Sequence, residues 1–234
     1  MKSTIAILAF IVVLSACKTD KKTEDTSVKK EEVATTTEMT VPEKIAHAHG
    51  FENWKNVNQI QFKFNVERGG KVSPGRTWNW RPKTNDVLFM STKDTLSYNR
   101  NSLDSISRRT NGGFVNDKFW LLAPFNLIWD KDSYTYTHKV KSEAPISKKP
   151  MQKLTVVYGN EGGYTPGDAY DYYFGDDYIL KEWVFRKSNT EKPSMATTWE
   201  KYTEHHGLKI ALDHKSADGN FRLFFDNLKT IAAK

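Results

Sequence analysis

Side chains that could carry chemistry are few in this chain, and their spacing is poor. His47 and His49 fall two apart in a predicted helix, so they do not share a face. His205 and His206 are adjacent and would point to opposite sides of a strand; with His214 they are the only set that could contribute to a zinc site. Asp168, Asp171, Asp176 and Asp177 sit in a Tyr-rich hairpin without the Asp-x-Asp-x-Asp-Gly order of a calcium loop, which makes a solvated turn the default reading. There is no Gly-x-Ser-x-Gly elbow and no Gly-rich phosphate loop. Nothing pairs a base with a nucleophile. The expectation is therefore a protein with no catalytic residues, no metal and no cofactor. An exported metal-dependent hydrolase built on the histidines or the Asp168–Asp177 group is the weakest alternative.

The single cysteine, Cys17, has a different setting. Lys2 precedes an unbroken apolar run from Ile5 to Leu14. That is too short for a membrane span, which takes ~20 residues, and suits the core of a signal peptide. The run ends in Leu14-Ser15-Ala16-Cys17, an order that resembles the lipobox of bacterial lipoproteins. The resemblance implies removal of residues 1–16 and lipidation of Cys17. Several acyl chains on one residue give a lasting anchor, whereas one chain binds a membrane only marginally. Acylation also disposes of a free thiol, a liability in an oxidising compartment. The alternative is an ordinary secretory signal followed by an unpaired cysteine.

Residues 17–42 contain no aromatic and are dominated by Lys, Glu, Asp and Thr, which reads as a solvated tether. The whole chain of 234 residues carries +7, and the signal and tether contribute nothing net, so the basic excess belongs to residues 43–234. The bases are scattered, and an exported, anchored protein rarely meets nucleic acid. Attraction to anionic headgroups and a merely solvated basic surface both fit the charge. Lys18 after the cysteine is not the Asp that holds some lipoproteins on the inner membrane, which points to the outer membrane, with a monomer as the simplest assembly.

Elements able to position a site come next. Pro42 to Val57 has the features of a helix start, with Gly50 able to end or interrupt it. From there the period switches to two. Ile60, Phe62, Phe64 and Val66 share one face of a strand, as do Trp78 and Trp80, and Trp183 and Phe185; Trp199 and Phe225 lie on similar runs. Turn residues separate these runs, among them Gly69-Gly70, Asn111-Gly112-Gly113 and Asp218-Gly219-Asn220. About ten strands with short turns predict a mainly β fold with a few helices, a large antiparallel sheet incompletely closed into a barrel.

One segment, Phe119 to Trp129, is apolar on every side. Its central Pro124 argues against a regular strand or helix interior, so the expectation is a short helical or looped lid across the mouth of the curved sheet. Phe119, Trp120, Leu121, Leu122, Phe125, Leu127 and Trp129 would form that lid. Beneath it, Phe62, Phe64, Trp78, Trp80, Trp183, Phe185 and Trp199 would line an apolar cavity; ordinary sheet-to-lid packing is the competing account.

The layout resembles the LolA/LolB-like carriers and acceptors of lipoproteins. Its most specific piece is Trp78-Asn79-Trp80-Arg81-Pro82, similar to an aromatic-x-x-Arg-Pro stretch on an early strand of the carrier. The resemblance implies an incomplete barrel, a helical lid and a cavity for acyl chains. It also implies that Arg81 latches the lid by hydrogen bonds to lid backbone. The function expected is a membrane-anchored, non-catalytic lipoprotein that binds a lipid or the acyl chain of a lipoprotein. A surface scaffold for a protein or glycan is the runner-up.

Overall fold

The computed structural model describes residues 38–161 and 164–232. Cys17, the signal segment and nearly all of the tether lie outside the described residues. Helix α1 (Val41–Ala48) opens on a reciprocal cap: the Thr40 hydroxyl accepts from the Glu43 backbone N–H, and the Glu43 carboxylate accepts from the Thr40 N–H. Gly50 ends it at φ 84°, a backbone state that favours glycine. A 3₁₀ turn, Phe51–Asn56, then leads into the first strand. Pro42–Val57 is thus two short helical pieces broken at Gly50.

Five strands follow: β1 (Val57–Arg68), β2 (Lys71–Val72), β3 (Arg76–Arg81), β4 (Asp86–Met90) and β5 (Thr95–Asn99). A long helix, α2 (Ser105–Trp129), separates them from β6 (Tyr134–Glu143), β7 (Pro150–Tyr158), β8 (Ala169–Phe174), β9 (Leu180–Arg186) and β10 (Met195–Thr198). The chain ends in β11 (Glu200–His205), β12 (Leu208–Lys215) and β13 (Phe221–Ala232). These make two antiparallel sheets. One runs β11-β12-β13-β1-β3-β4-β5 with β2 attached to β1, the other β10-β9-β8-β7-β6. The last three strands return to the first sheet, placing β13 against β1. The sheets do not close into a barrel. They meet at Trp199, the single residue between β10 and β11, whose backbone N–H donates to the Lys181 carbonyl at 2.7 Å.

Period-two alternation located most strands because each sheet buries one face. Along β3 the inward residues Trp78 and Trp80 are buried while Arg81 is exposed. Strands β4, β5, β7 and β12 lie outside the alternating runs picked out in the sequence.

Two expectations about α2 need correction. Asn111-Gly112-Gly113 is not a turn but lies inside the helix, and Phe119–Trp129 is not a short lid but its C-terminal half. Asp104 caps the helix by accepting from the Ser107 N–H at 2.7 Å, which starts it well before the glycines. A Cβ on Gly113 would meet the Trp78 ring at 3.8 Å, an ordinary van der Waals contact, so the helix lies against β3 without requiring glycine at this position. Pro124 acts as expected of a proline, but locally: the chain kinks at Leu122 (φ −125°, ψ 25°) and then resumes. The helix is flanked by both sheets. Phe114 packs edge-on against Trp78 and Trp80, and Phe119 and Trp120 pack against Trp183.

Candidate ligand cleft

The residues expected to line one cavity divide into two groups. Phe62, Trp78, Trp80 and Trp199 are buried in close aromatic contact, Trp80 against Trp54 and Phe114, and Trp199 against Trp183 and His214. They are packed core and none of them borders the space between the two sheets, although the Trp78 edge reaches a separate open hollow with Arg76, Phe89 and Ile106. Phe64, Trp183 and Phe185 instead border a cleft of about 540 Å³ between the two sheets. From the first sheet it takes Phe64, Val66, Phe221 and Leu223; from the second, Tyr170, Trp183, Phe185 and Met195. Its floor is the middle of α2, through Gly112, Val115, Asn116, Phe119 and Trp120. Only Phe119 and Trp120 of the expected lid residues reach it. Leu121, Leu122, Phe125 and Leu127 are at most 1% exposed and belong to the core, and Trp129 packs on Trp54 and Phe125.

Arg81 does not latch this helix. It is exposed and donates to the Gln59 side chain at 3.3 Å, on the outer face of β3. The arginine that ties β3 to α2 is Arg76. Its Nε and Nη2 donate to the two Asp117 carboxylate oxygens at 2.7 and 2.6 Å, a bidentate pair. The Trp78 indole N–H donates to the same carboxylate at 2.8 Å, and Asn116 Nδ2 at 3.0 Å. Asp117 is wholly buried and fully satisfied; Arg76 lies at the cleft wall, over the Phe64 ring. A strand's alternation puts residue 76 on the same face as 78 and 80, and 81 on the other. That is the signal that singles out Arg76.

The histidines do not converge. His205 and His206 are at the turn before β12 and His214 is near its far end, and among the described residues no group of three His, Cys, Asp or Glu could hold a metal. His47 contacts Glu52, while His49 is buried with Nδ1 2.8 Å from the Ile45 carbonyl. The acids act as ties: Asp171 pairs with Arg186 and accepts from Thr155, and Asp168 accepts from the Ser188 N–H. Asp176 accepts from Gln152, and Asp177 from Lys181 and the Ile179 N–H.

Behind the Trp183 wall lies a polar cluster that the sequence did not suggest. Thr197 pairs directly across from Trp183, and Trp199 stacks edge-on with both Trp183 and His214. The Trp183 and Trp199 indole nitrogens, Thr197 Oγ1 and His214 Nε2 are buried without a partner among the described residues. Burial pushes the His214 imidazole down to about 3, so it is neutral, and its Nδ1 faces the Thr198 carbonyl at 3.2 Å. That carbonyl can only accept, which puts the proton on Nδ1 and leaves Nε2 an acceptor.

A second hollow, about 280 Å³, lies across α2 from the cleft and shares Val115, Phe119, Tyr164 and Thr165 with it. It contains Arg100 and Lys118. Burial pushes the Lys118 ammonium down to about 8 and holds Arg100 below its ordinary range, while burial raises Asp130.

No family model matches this chain, and no curated protein does. Among solved structures it is similar to a LolA superfamily protein from Nitrosomonas europaea, at 10% identity and a TM-score of 0.49, over 81% of this chain and 91% of that one. It is also similar to a DUF1329 family protein from Desulfovibrio piger, at 11% identity and a TM-score of 0.46, over 81% of this chain and 90% of that one.

Proposed function

We propose that this protein is a non-catalytic lipoprotein of the bacterial envelope, anchored through lipidated Cys17, that holds an acyl chain or similar apolar ligand between its two sheets. The observation that carries this reading is the cleft itself. Its 540 Å³ falls within the roughly 300–1,000 Å³ of small-molecule sites, and its walls are mostly aromatic and aliphatic. Each methylene buried there is worth about 0.8 kcal/mol, so a single acyl chain would be a substantial ligand. Such a ligand fits a role in lipoprotein or lipid trafficking at the outer membrane. The Leu14–Cys17 motif supports anchoring, and a Cys17→Ser variant should move from the membrane to the soluble fraction.

Native mass spectrometry of the full chain, purified from its own envelope in mild detergent, tests the binding role. A stoichiometric co-purifying amphiphile is the expected result. A consistently empty protein would favour the second reading, an envelope scaffold that binds a protein or glycan on its surface. The specific observation behind that reading is the close packing of Phe62, Trp78, Trp80 and Trp199, which fills much of the interior.

A further inference from the structure

Arg100 and Lys118 line one hollow from different parts of the chain, and among the described residues neither is in a direct ion pair. Among the described residues no carboxylate lies within 4 Å of either cation. Arg100 donates through Nε to the Asn111 side chain at 3.1 Å and lies over the Phe114 ring at 5.2 Å. Lys118 donates to Asn126 Oδ1 at 3.0 Å and sits 4.7 Å over the Trp129 ring. All these partners are neutral. The one acid inside the hollow, Asp130, accepts from the Tyr158 hydroxyl at 3.1 Å, and Glu161 is on its exposed rim. Cations drawn largely out of water are normally paired; here the lining carboxylates Asp130 and Glu161 make no direct ion pair with either, and Asp130 acts on Lys118 only across the hollow, so neither cation has an anion in contact.

Helical spacing connects this hollow to the cleft. Val115 and Lys118 are three apart on α2 and face the hollow, while Gly112, Asn116 and Trp120 are four apart and face the cleft. Val115 and Phe119 border both. An amphiphile with its tail in the cleft would reach the hollow past Val115, Phe119, Tyr164 and Thr165, the residues common to both.

We propose that the 280 Å³ hollow is a headgroup compartment that takes the acidic head, phosphate or carboxylate, of an amphiphile whose apolar part lies in the cleft. This inference rests on the reading of the cleft as an apolar ligand site. An arginine fork suits bidentate binding of either oxyanion, and the lysine adds a point charge beside it. Lys118 is still mostly protonated at neutral pH.

The test is calorimetric titration of the full chain in detergent below its critical concentration with dodecyl phosphate, laurate, dodecanol and inorganic phosphate. Wild type should bind an acidic amphiphile at least tenfold more tightly than dodecanol. Lys118→Met and Arg100→Met should each cut that preference below threefold while leaving dodecanol affinity unchanged. Whichever acid is preferred identifies the oxyanion. Equal binding of all three amphiphiles by wild type would overturn the headgroup compartment and leave the apolar cleft standing, and this arm needs no variant to fold. A preference that survives both substitutions would overturn it too. Inorganic phosphate binding as tightly as dodecyl phosphate would make the hollow a free-anion site and refute the amphiphile. Failure of every amphiphile to bind would refute the apolar-cleft reading and this one together.

Discussion

Lowering the pH from 7 to 5 should destabilise this protein by about 4 kcal/mol through two buried histidines. Burial holds His49 down to about 4 and His214 to about 3, against an ordinary value of 6.5. Because the folded values are depressed, the unfolded chain binds more protons below pH 6.5, and stability falls as the pH falls through that window. At pH 5 an unfolded histidine is almost fully charged while both native rings are still mostly neutral. Each ring then forfeits about 1.4 kcal/mol for every pH unit below 6.5, or about 2 kcal/mol. Two rings make about 4 kcal/mol, a large share of the 5–15 kcal/mol typical of a domain. Asp130, raised by burial, pulls weakly the other way, so the histidines must be isolated by substitution. The assay is urea unfolding followed by tryptophan fluorescence at both pH values, where a slope near 2 kcal/mol/M gives a midpoint shift of about 2 M. His214→Gln should halve that shift, and adding His49→Gln should nearly abolish it. Wild-type midpoints that agree within a few tenths molar, or a double variant that keeps the full shift, would refute the reasoning.

Three other predictions follow from the site and its supports. Asp117→Ala should cost about 3–5 kcal/mol in urea unfolding, because it strands the Arg76 guanidinium and the buried Trp78 N–H together. Arg81→Leu, by contrast, should stay within about 0.5 kcal/mol and leave retention of a lipid probe unchanged, since Arg81 is exposed and reaches only Gln59. Phe185→Asp, on the half-exposed wall of the cleft, should lower acyl-chain retention in a fluorescent-probe assay while reducing the melting temperature by only a few degrees; retention equal to wild type would remove the cleft from the ligand's path.

The strands were legible because burying one face of a sheet imposes a period of two on the sequence, as Ile60, Phe62 and Phe64 show. The long helix was not, because its local signals conflict with its tertiary setting. Asn111-Gly112-Gly113 and Pro124 both argue for breaks: each glycine disfavours a helix interior by about 1 kcal/mol and the proline by about 3 kcal/mol. Packing against two sheets overrides them. The tie between β3 and α2 differs for another reason: motif likeness points to Arg81, whereas strand parity puts Arg76 inward with the tryptophans. The hollow around Arg100 and Lys118 had no sequence signature at all. A lysine and an arginine separated by 18 residues look like ordinary surface charges until the fold brings both to one interior.

These positions also decide how a ligand could reach the cleft. A lid must be cheap to lift, and α2 is not. Phe114, Leu121, Leu122, Phe125 and Leu127 are all at most 1% exposed, and each gains about 1.5–3 kcal/mol from burial. Raising the helix would therefore forfeit on the order of 10 kcal/mol from these five side chains alone. An acyl chain gaining about 0.8 kcal/mol per methylene would have to bury a dozen of them merely to break even. The Arg76–Asp117 pair adds to that cost by pinning the helix just where it floors the cleft. Access by way of the open side is far less costly, because Phe185, Met195 and Phe221 there are only partly buried and forfeit less packing when they move. In this fold the helix is the fixed wall of the site, and any gate belongs to the side chains along the gap between the two sheets.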